Sequence, residues 1–115
     1  MQHALIIEDD VAVSAIIEER LSAYGFSSFA HAWTRDDGER SARFKRPDLV
    51  IVCDMADARW GIGAAQAISE RYGAPALLVT ADSGLLKEGL PPGCSLGGPF
   101  PMPELRSAIA AARRS

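Results

Sequence analysis

Cysteine is scarce in this sequence, with Cys53 and Cys94 the only two. They form no CxxC pair and neither has a histidine spaced as a metal partner, so a disulfide framework or a structural zinc site is not expected. Two reduced thiols in a reducing compartment are. A basic surplus is missing too. Lys and Arg number 12 against 15 Asp and Glu, for a net charge of −3 and a pI near 5.3, whereas a nucleic-acid-binding domain needs a clustered basic surface. The Arg113-Arg114 pair reads as a helix C-terminus complementing its dipole. No apolar run approaches the ~18 residues that span a bilayer. The chain enters a strand within three residues of Met1, which leaves no room for a signal peptide. A cytoplasmic protein without membrane or nucleic-acid partners is the expectation. His3 and His31 stand alone and are read as surface residues without a role.

What is present is an alternation of strand and helix patterns. A length of 115 residues with 48% hydrophobic and 23% charged suits one domain whose single core lies between two layers of helices. Ala4-Leu5-Ile6-Ile7 is a short apolar strand ending in Glu8-Asp9-Asp10. Val13, Ile16, Ile17, Leu21 and Tyr24 follow at helical spacing, with Gly25 as the stop. Phe26 to Ala32 is a second, weaker strand. Thr34-Arg35-Asp36-Asp37 resembles a capping box, but the helix it opens, to about Lys45, contains Gly38 and only Ala42 and Phe44 as apolar residues. That helix is expected to be short or mobile. The central strand, Asp48 to Cys53, is opened by Pro47 and closed by Asp54, a continuous apolar run suited to burial on both faces.

A helix from about Gly61 to Tyr72 sets Ile62, Ala65, Ile68 and Tyr72 on one side and stops at Gly73. Pro75 to Thr80 is the fourth strand. Asp82 to Glu88 has length for about two helical turns. Between Gly89 and Pro103, nine of fifteen residues are Gly or Pro, punctuation that normally marks a loop. A fifth strand is expected near Ser95-Leu96-Gly97, and a last helix from about Pro103 with Leu105, Ala108, Ile109 and Ala112 on its buried side. Alternation of this kind points to βαβ units and a parallel sheet, with chemistry where the strands end. Trp33 and Trp60 are read as half-buried packing residues, and as first places to seek a partner contact if exposed.

The order of ALIIEDD, RPDLVIV, LLVTA and GPFPMPEL resembles, over the whole chain, the receiver domain of bacterial two-component response regulators. That resemblance implies a flavodoxin-like, doubly wound α/β fold, a five-stranded parallel sheet in order 2-1-3-4-5, here with a shortened fourth helix. One receiver-like domain over residues 1–115, without an output domain, is the expectation. In such domains two acidic residues after the first strand and an aspartate ending the third hold Mg²⁺. That aspartate takes a phosphoryl group, whose oxygens a lysine and a Ser/Thr then bind. By match of motif, Glu8 and Asp9 fall on the acidic pair, as candidate Mg²⁺ ligands, and Thr80 falls on the hydroxyl position. The partners implied are a histidine kinase, a phosphotransfer protein or an output protein; a homodimer is an open alternative.

Two positions depart from the pattern. The family's acceptor sits six residues after the proline that opens the third strand and eight before the glycine opening the next helix. Both landmarks fall on Cys53. Asp54 is the alternative acceptor, completing an acidic pocket with Glu8 and Asp9. Strand alternation turns it away from Cys53 unless a bulge intervenes. Gly98 stands at the lysine position and Ser95 at that of the switch aromatic.

A thiolate is a soft ligand poorly suited to Mg²⁺. The favoured reading is therefore a degenerate receiver, not an enzyme, acting by protein–protein contact through the face from the shortened fourth helix to the last helix. A phosphorylatable regulator using Asp54 is the runner-up, and a flavodoxin-like enzyme or small-molecule binder ranks last, since no Gly-rich phosphate loop follows the first strand. For Asp10 a helix N-cap is the plain alternative. A redox role for Cys53 is disfavoured by its acidic neighbours, which oppose the thiolate.

Overall fold

β3 (Leu49–Cys53) is buried along its whole length, as a central strand covered on both faces must be. It pairs in parallel with β1 (Gln2–Ile7) on one side and β4 (Ala76–Val79) on the other. β2 (Phe26–Ala32) and β5 (Gly97–Phe100) form the edges, giving the expected order β2-β1-β3-β4-β5. The computed structural model describes residues 2–53, 58–90 and 92–113.

Side chains alternate across the strands and divide the core in two. Ala4, Ile6, Leu49, Ile51, Cys53, Leu77 and Val79 belong to one cluster. There they meet Ile17 and Leu21 of α1 (Val11–Ala23) and Leu105 and Ile109 of α5 (Leu105–Arg113). Leu5, Ile7, Val50, Val52 and Leu78 belong to the other, with Ala42 of α2 (Arg35–Phe44) and Ala65 and Ile68 of α3 (Ala58–Tyr72). Each fully buried Ile or Leu contributes about 1.5–3 kcal/mol. α4 (Ser83–Glu88) is the shortened helix; none of its residues is buried, and only Leu85 leans on the second cluster. Among the described residues no helix is long and apolar enough to cross a membrane.

Helix ends follow their capping chemistry. Asp10 caps α1, its Oδ1 accepting from the amides of Ala12 at 2.9 Å and Val13 at 3.3 Å. Gly25, at φ +100°, stops the helix in the left-handed region that glycine tolerates. The buried stripe of α1 is Ser14, Ile17 and Leu21. Ile16, expected on that face, lies about 100° around the helix from Ile17 and is 46% exposed.

α2 departs from expectation by forming in full. Thr34 Oγ1 accepts from the Asp37 amide at 3.1 Å, and Arg35 pairs with Glu39 and Arg40 with Asp37 along the surface. Its inner face is small instead of large: Gly38 and Ala42 are buried, so the helix lies close to the sheet without a bulky anchor. Phe44, counted among its apolar residues, is 91% exposed.

The fifth strand is displaced from Ser95–Gly97 to Gly97–Phe100. Leu77 pairs with Gly97 and Val79 with Phe100, so β5 spends one more residue than β4 over the same span. That is a β-bulge, a position where an edge strand accepts proline. Gly98 takes it up at φ +109°, followed by a cis peptide to Pro99. α3 starts at Ala58, three residues before the expected Gly61. The last helix is preceded by a 3-10 turn, Met102–Glu104.

Candidate functional site

Three strands deliver the candidate residues to one edge of the sheet. Ile7 pairs with Val52, and Cys53 with Val79, so Glu8, Cys53 and Thr80 stand together at the carboxyl ends of β1, β3 and β4. This is where an open parallel sheet places its ligand crevice.

Glu8 is fully buried. Its Oε1 accepts from the amides of Asp9 at 2.9 Å and Asp10 at 3.1 Å, while Oε2 is buried and finds no hydrogen-bond partner among the described residues. Burial, reinforced by the Asp9 carboxyl, raises the Glu8 pKa from 4.5 to about 7 against the opposing pull of the two amides. Asp9 is exposed beside it, and Asp10 serves as the α1 cap. The plain alternative for Asp10 is therefore its observed role.

Cys53 is 2% exposed and packed in the cluster beneath α1 and α5. Neither it nor Cys94 is in a disulfide. Asp54, the alternative acceptor, lies outside the described residues. Thr80 is 3% exposed. Its Oγ1 accepts from the Asp82 amide at 2.9 Å, and its own amide donates to the Phe100 carbonyl at 2.9 Å. The hydroxyl thereby braces the turn into α4, and Asp82 in turn caps that helix through the amides of Gly84 and Leu85.

Gly98 is held in a conformation that resists a side chain. A Cβ there would lie 2.8 Å from the Leu78 carbonyl oxygen and 3.0 Å from the Phe100 ring, at a φ of +109°. Ser95 lies before β5, exposed, with its amide 3.4 Å from Gln66 Oε1. It projects from the Gly/Pro loop.

Mg²⁺ takes octahedral oxygen coordination, usually from one or two carboxylates with water and phosphate completing the sphere. Glu8 and Asp9 supply two carboxylates, and the orphaned Oε2 of Glu8 is suited to a cation. Cys53, which the sequence landmarks set against the third ligand, is a thiol in an apolar cluster, and among the described residues no group of three ligating side chains converges. The described residues do not complete the site.

His3 was expected at the surface and is instead 4% exposed. Its Nδ1 lies 2.8 Å from Ser28 Oγ, which also accepts from Lys45 Nζ at 2.8 Å, and its amide donates to Asp48 Oδ2. Burial, then the Lys45 charge, lowers its pKa. Nothing in the sequence pairs residues so far apart. Trp33, expected half-buried, is 57% exposed; Trp60 packs partly against the second cluster.

No protein-family model matches the chain, and no curated protein matches it by sequence. Solved structures do. A response regulator from Thermotoga maritima, TrrA in complex with Mg²⁺-BeF, superposes at a TM-score of 0.72 with 19% identity over 97% of this chain and 99% of its own. The signal receiver domain of a modulated diguanylate cyclase from Desulfovibrio desulfuricans gives 0.78 with 21% identity, covering 99% and 94%. The PhyR stress response regulator gives 0.73 with 28% identity, covering 96% of this chain and 43% of that longer one. The chain has the fold of a response regulator receiver domain.

Proposed function

We propose that this chain is a degenerate receiver of a two-component or phosphorelay pathway, acting by protein–protein contact in the cytoplasm without the aspartate phosphorylation switch. The observation that carries the reading is Cys53: the residue in the acceptor's register points a thiol into the apolar cluster under α1 and α5 at 2% exposure. A buried thiol there supplies neither the carboxylate nucleophile nor a hard oxygen ligand. Gly98 adds support, since the family's lysine is absent and the backbone opposes one. Loss of that charge-assisted contact is worth about 1.5–3 kcal/mol, roughly ten- to a hundredfold in the phosphorylated state.

In this reading the useful product of the fold is a surface. The face from α4 through β5 to α5 has a six-residue helix and a bulged edge, so its partner, whether a kinase, phosphotransfer or output protein or a second copy, differs from that of an intact switch. The chain itself catalyses no reaction. A second reading, phosphorylation at Asp54 with Mg²⁺ on Glu8 and Asp9, is favoured by the orphaned Glu8 Oε2, which a cation would satisfy. Titration of isotope-labelled protein with Mg²⁺ and beryllofluoride, a phosphoryl mimic, separates the two. Unmoved amide resonances at Glu8, Thr80 and Gly98 support the degenerate receiver; saturable one-to-one shifts there support the switch.

A further inference from the structure

At the opposite end of the sheet, α2 finishes beside the outer edge of β2. Residues 40–46, RSARFKR, hold four cations and no acid in a chain whose net charge is −3. Arg40, Arg43, Lys45 and Arg46 are all exposed. Arg40 is tied to Asp37 at 3.5 Å by a surface pair of little strength. Arg46 donates to the Tyr72 carbonyl, and Lys45 is held over the start of β2 by Ser28. In the middle of this basic run Phe44 projects with 91% of its surface exposed. A groove of about 440 Å³ runs beside it, lined by His3 of β1, Ser28 and Ala30 of β2, Arg40 and Phe44 of α2, and Lys45 just past that helix.

Among the described residues β2 is an edge strand, paired only with β1. Such an edge offers main-chain donors and acceptors to an added strand, while neighbouring pockets read alternate side chains. We propose that this groove docks an extended acidic segment of a partner protein, which adds alongside β2 as a sixth strand. Apolar side chains of the segment would cover Phe44, and its carboxylates would meet Lys45 and Arg40, the two cations that line the groove. Charge complementarity selects an acidic occupant, because Arg40 and Lys45 line the groove and no carboxylate does. The proposal stands apart from the phosphorylation question, since no residue of the groove belongs to the strand-end site.

The test uses the whole chain and a fluorescein-labelled peptide alternating Glu with Leu and Val, followed by anisotropy and by amide mapping. The expected result is saturable binding that shifts β2 amides and weakens with salt. Phe44→Ala should weaken it about tenfold, as loss of an anchoring aromatic does. Arg40→Glu combined with Lys45→Glu should weaken it about a hundredfold at low ionic strength. Both variants should keep the parent melting temperature to within a few degrees, since these side chains are exposed. A peptide methylated on alternate backbone nitrogens should not bind. The proposal is overturned by no binding of the acidic peptide, by equal affinity of both variants, by equal binding of the methylated peptide, or by binding confined to phosphatidylserine vesicles.

Discussion

Replacing Glu8 by glutamine should stabilise the protein above neutral pH and leave it unchanged in acid. Glutamine keeps an oxygen for the Asp9 and Asp10 amides and removes only the charge. The Glu8 carboxyl titrates near 4.5 when unfolded and about 7 when folded, so the folded chain holds this proton more tightly. Below pH 4.5 both states are protonated and the stability is full. Between 4.5 and 7 the unfolded chain releases the proton first, and stability falls with rising pH. Above 7 the whole cost is present. The difference of about 2.5 pH units, at about 1.4 kcal/mol each, sets a ceiling between about 3 and 4 kcal/mol. Urea unfolding with EDTA at pH 4 and pH 8 reads it directly. A Glu8→Gln variant less stable than the parent at pH 8 would mean that the fold favours the ionised carboxylate over the neutral group, and the reasoning would fail. Repeating the series in millimolar Mg²⁺ gives a second check, because stabilisation of the parent but not the variant would reveal a cation on Glu8.

Other perturbations follow from local geometry. Gly98→Lys restores the family's cation in sequence only; the φ of +109° and the 2.8 Å approach to the Leu78 carbonyl should cost about 2 kcal/mol or more by urea unfolding. Gly38→Ala should do the opposite. Its Cβ would meet Ala32 and Ile68 at 3.6 and 3.7 Å, ordinary contact distances, and alanine favours a helix interior by about 0.8–1.0 kcal/mol over glycine, visible as a raised urea midpoint. Of the two tryptophans, Trp33 is the exposed one, so Trp33→Phe should leave an emission that is bluer and less quenched by iodide than the parent's.

Most of the fold is legible because it is written in periodicity. β3 is a continuous apolar run, α1 and α5 carry their stripes, and Asp10, Thr34 and Asp82 mark helix starts by known chemistry. The misreadings have physical causes. α2 reads as poor because its packing face uses glycine and alanine, which a search for large apolar residues overlooks. β5 is expected too early because Gly98-Pro99 looks like punctuation, whereas a bulge turns it into strand. Burial of His3 depends on Ser28 and Lys45, which are distant in sequence. At the candidate site the motifs locate the strand ends, and two landmarks put Cys53 in register. They do not reveal that Glu8 is fully buried, with one oxygen unpaired among the described residues.

Whether this receiver fold accepts a phosphoryl group is decided by intact-mass spectrometry after incubation with acetyl phosphate and Mg²⁺. A degenerate receiver keeps the unmodified mass, in the parent and in Asp54→Asn alike. A phosphoryl adduct on the parent that disappears in Asp54→Asn would contradict it.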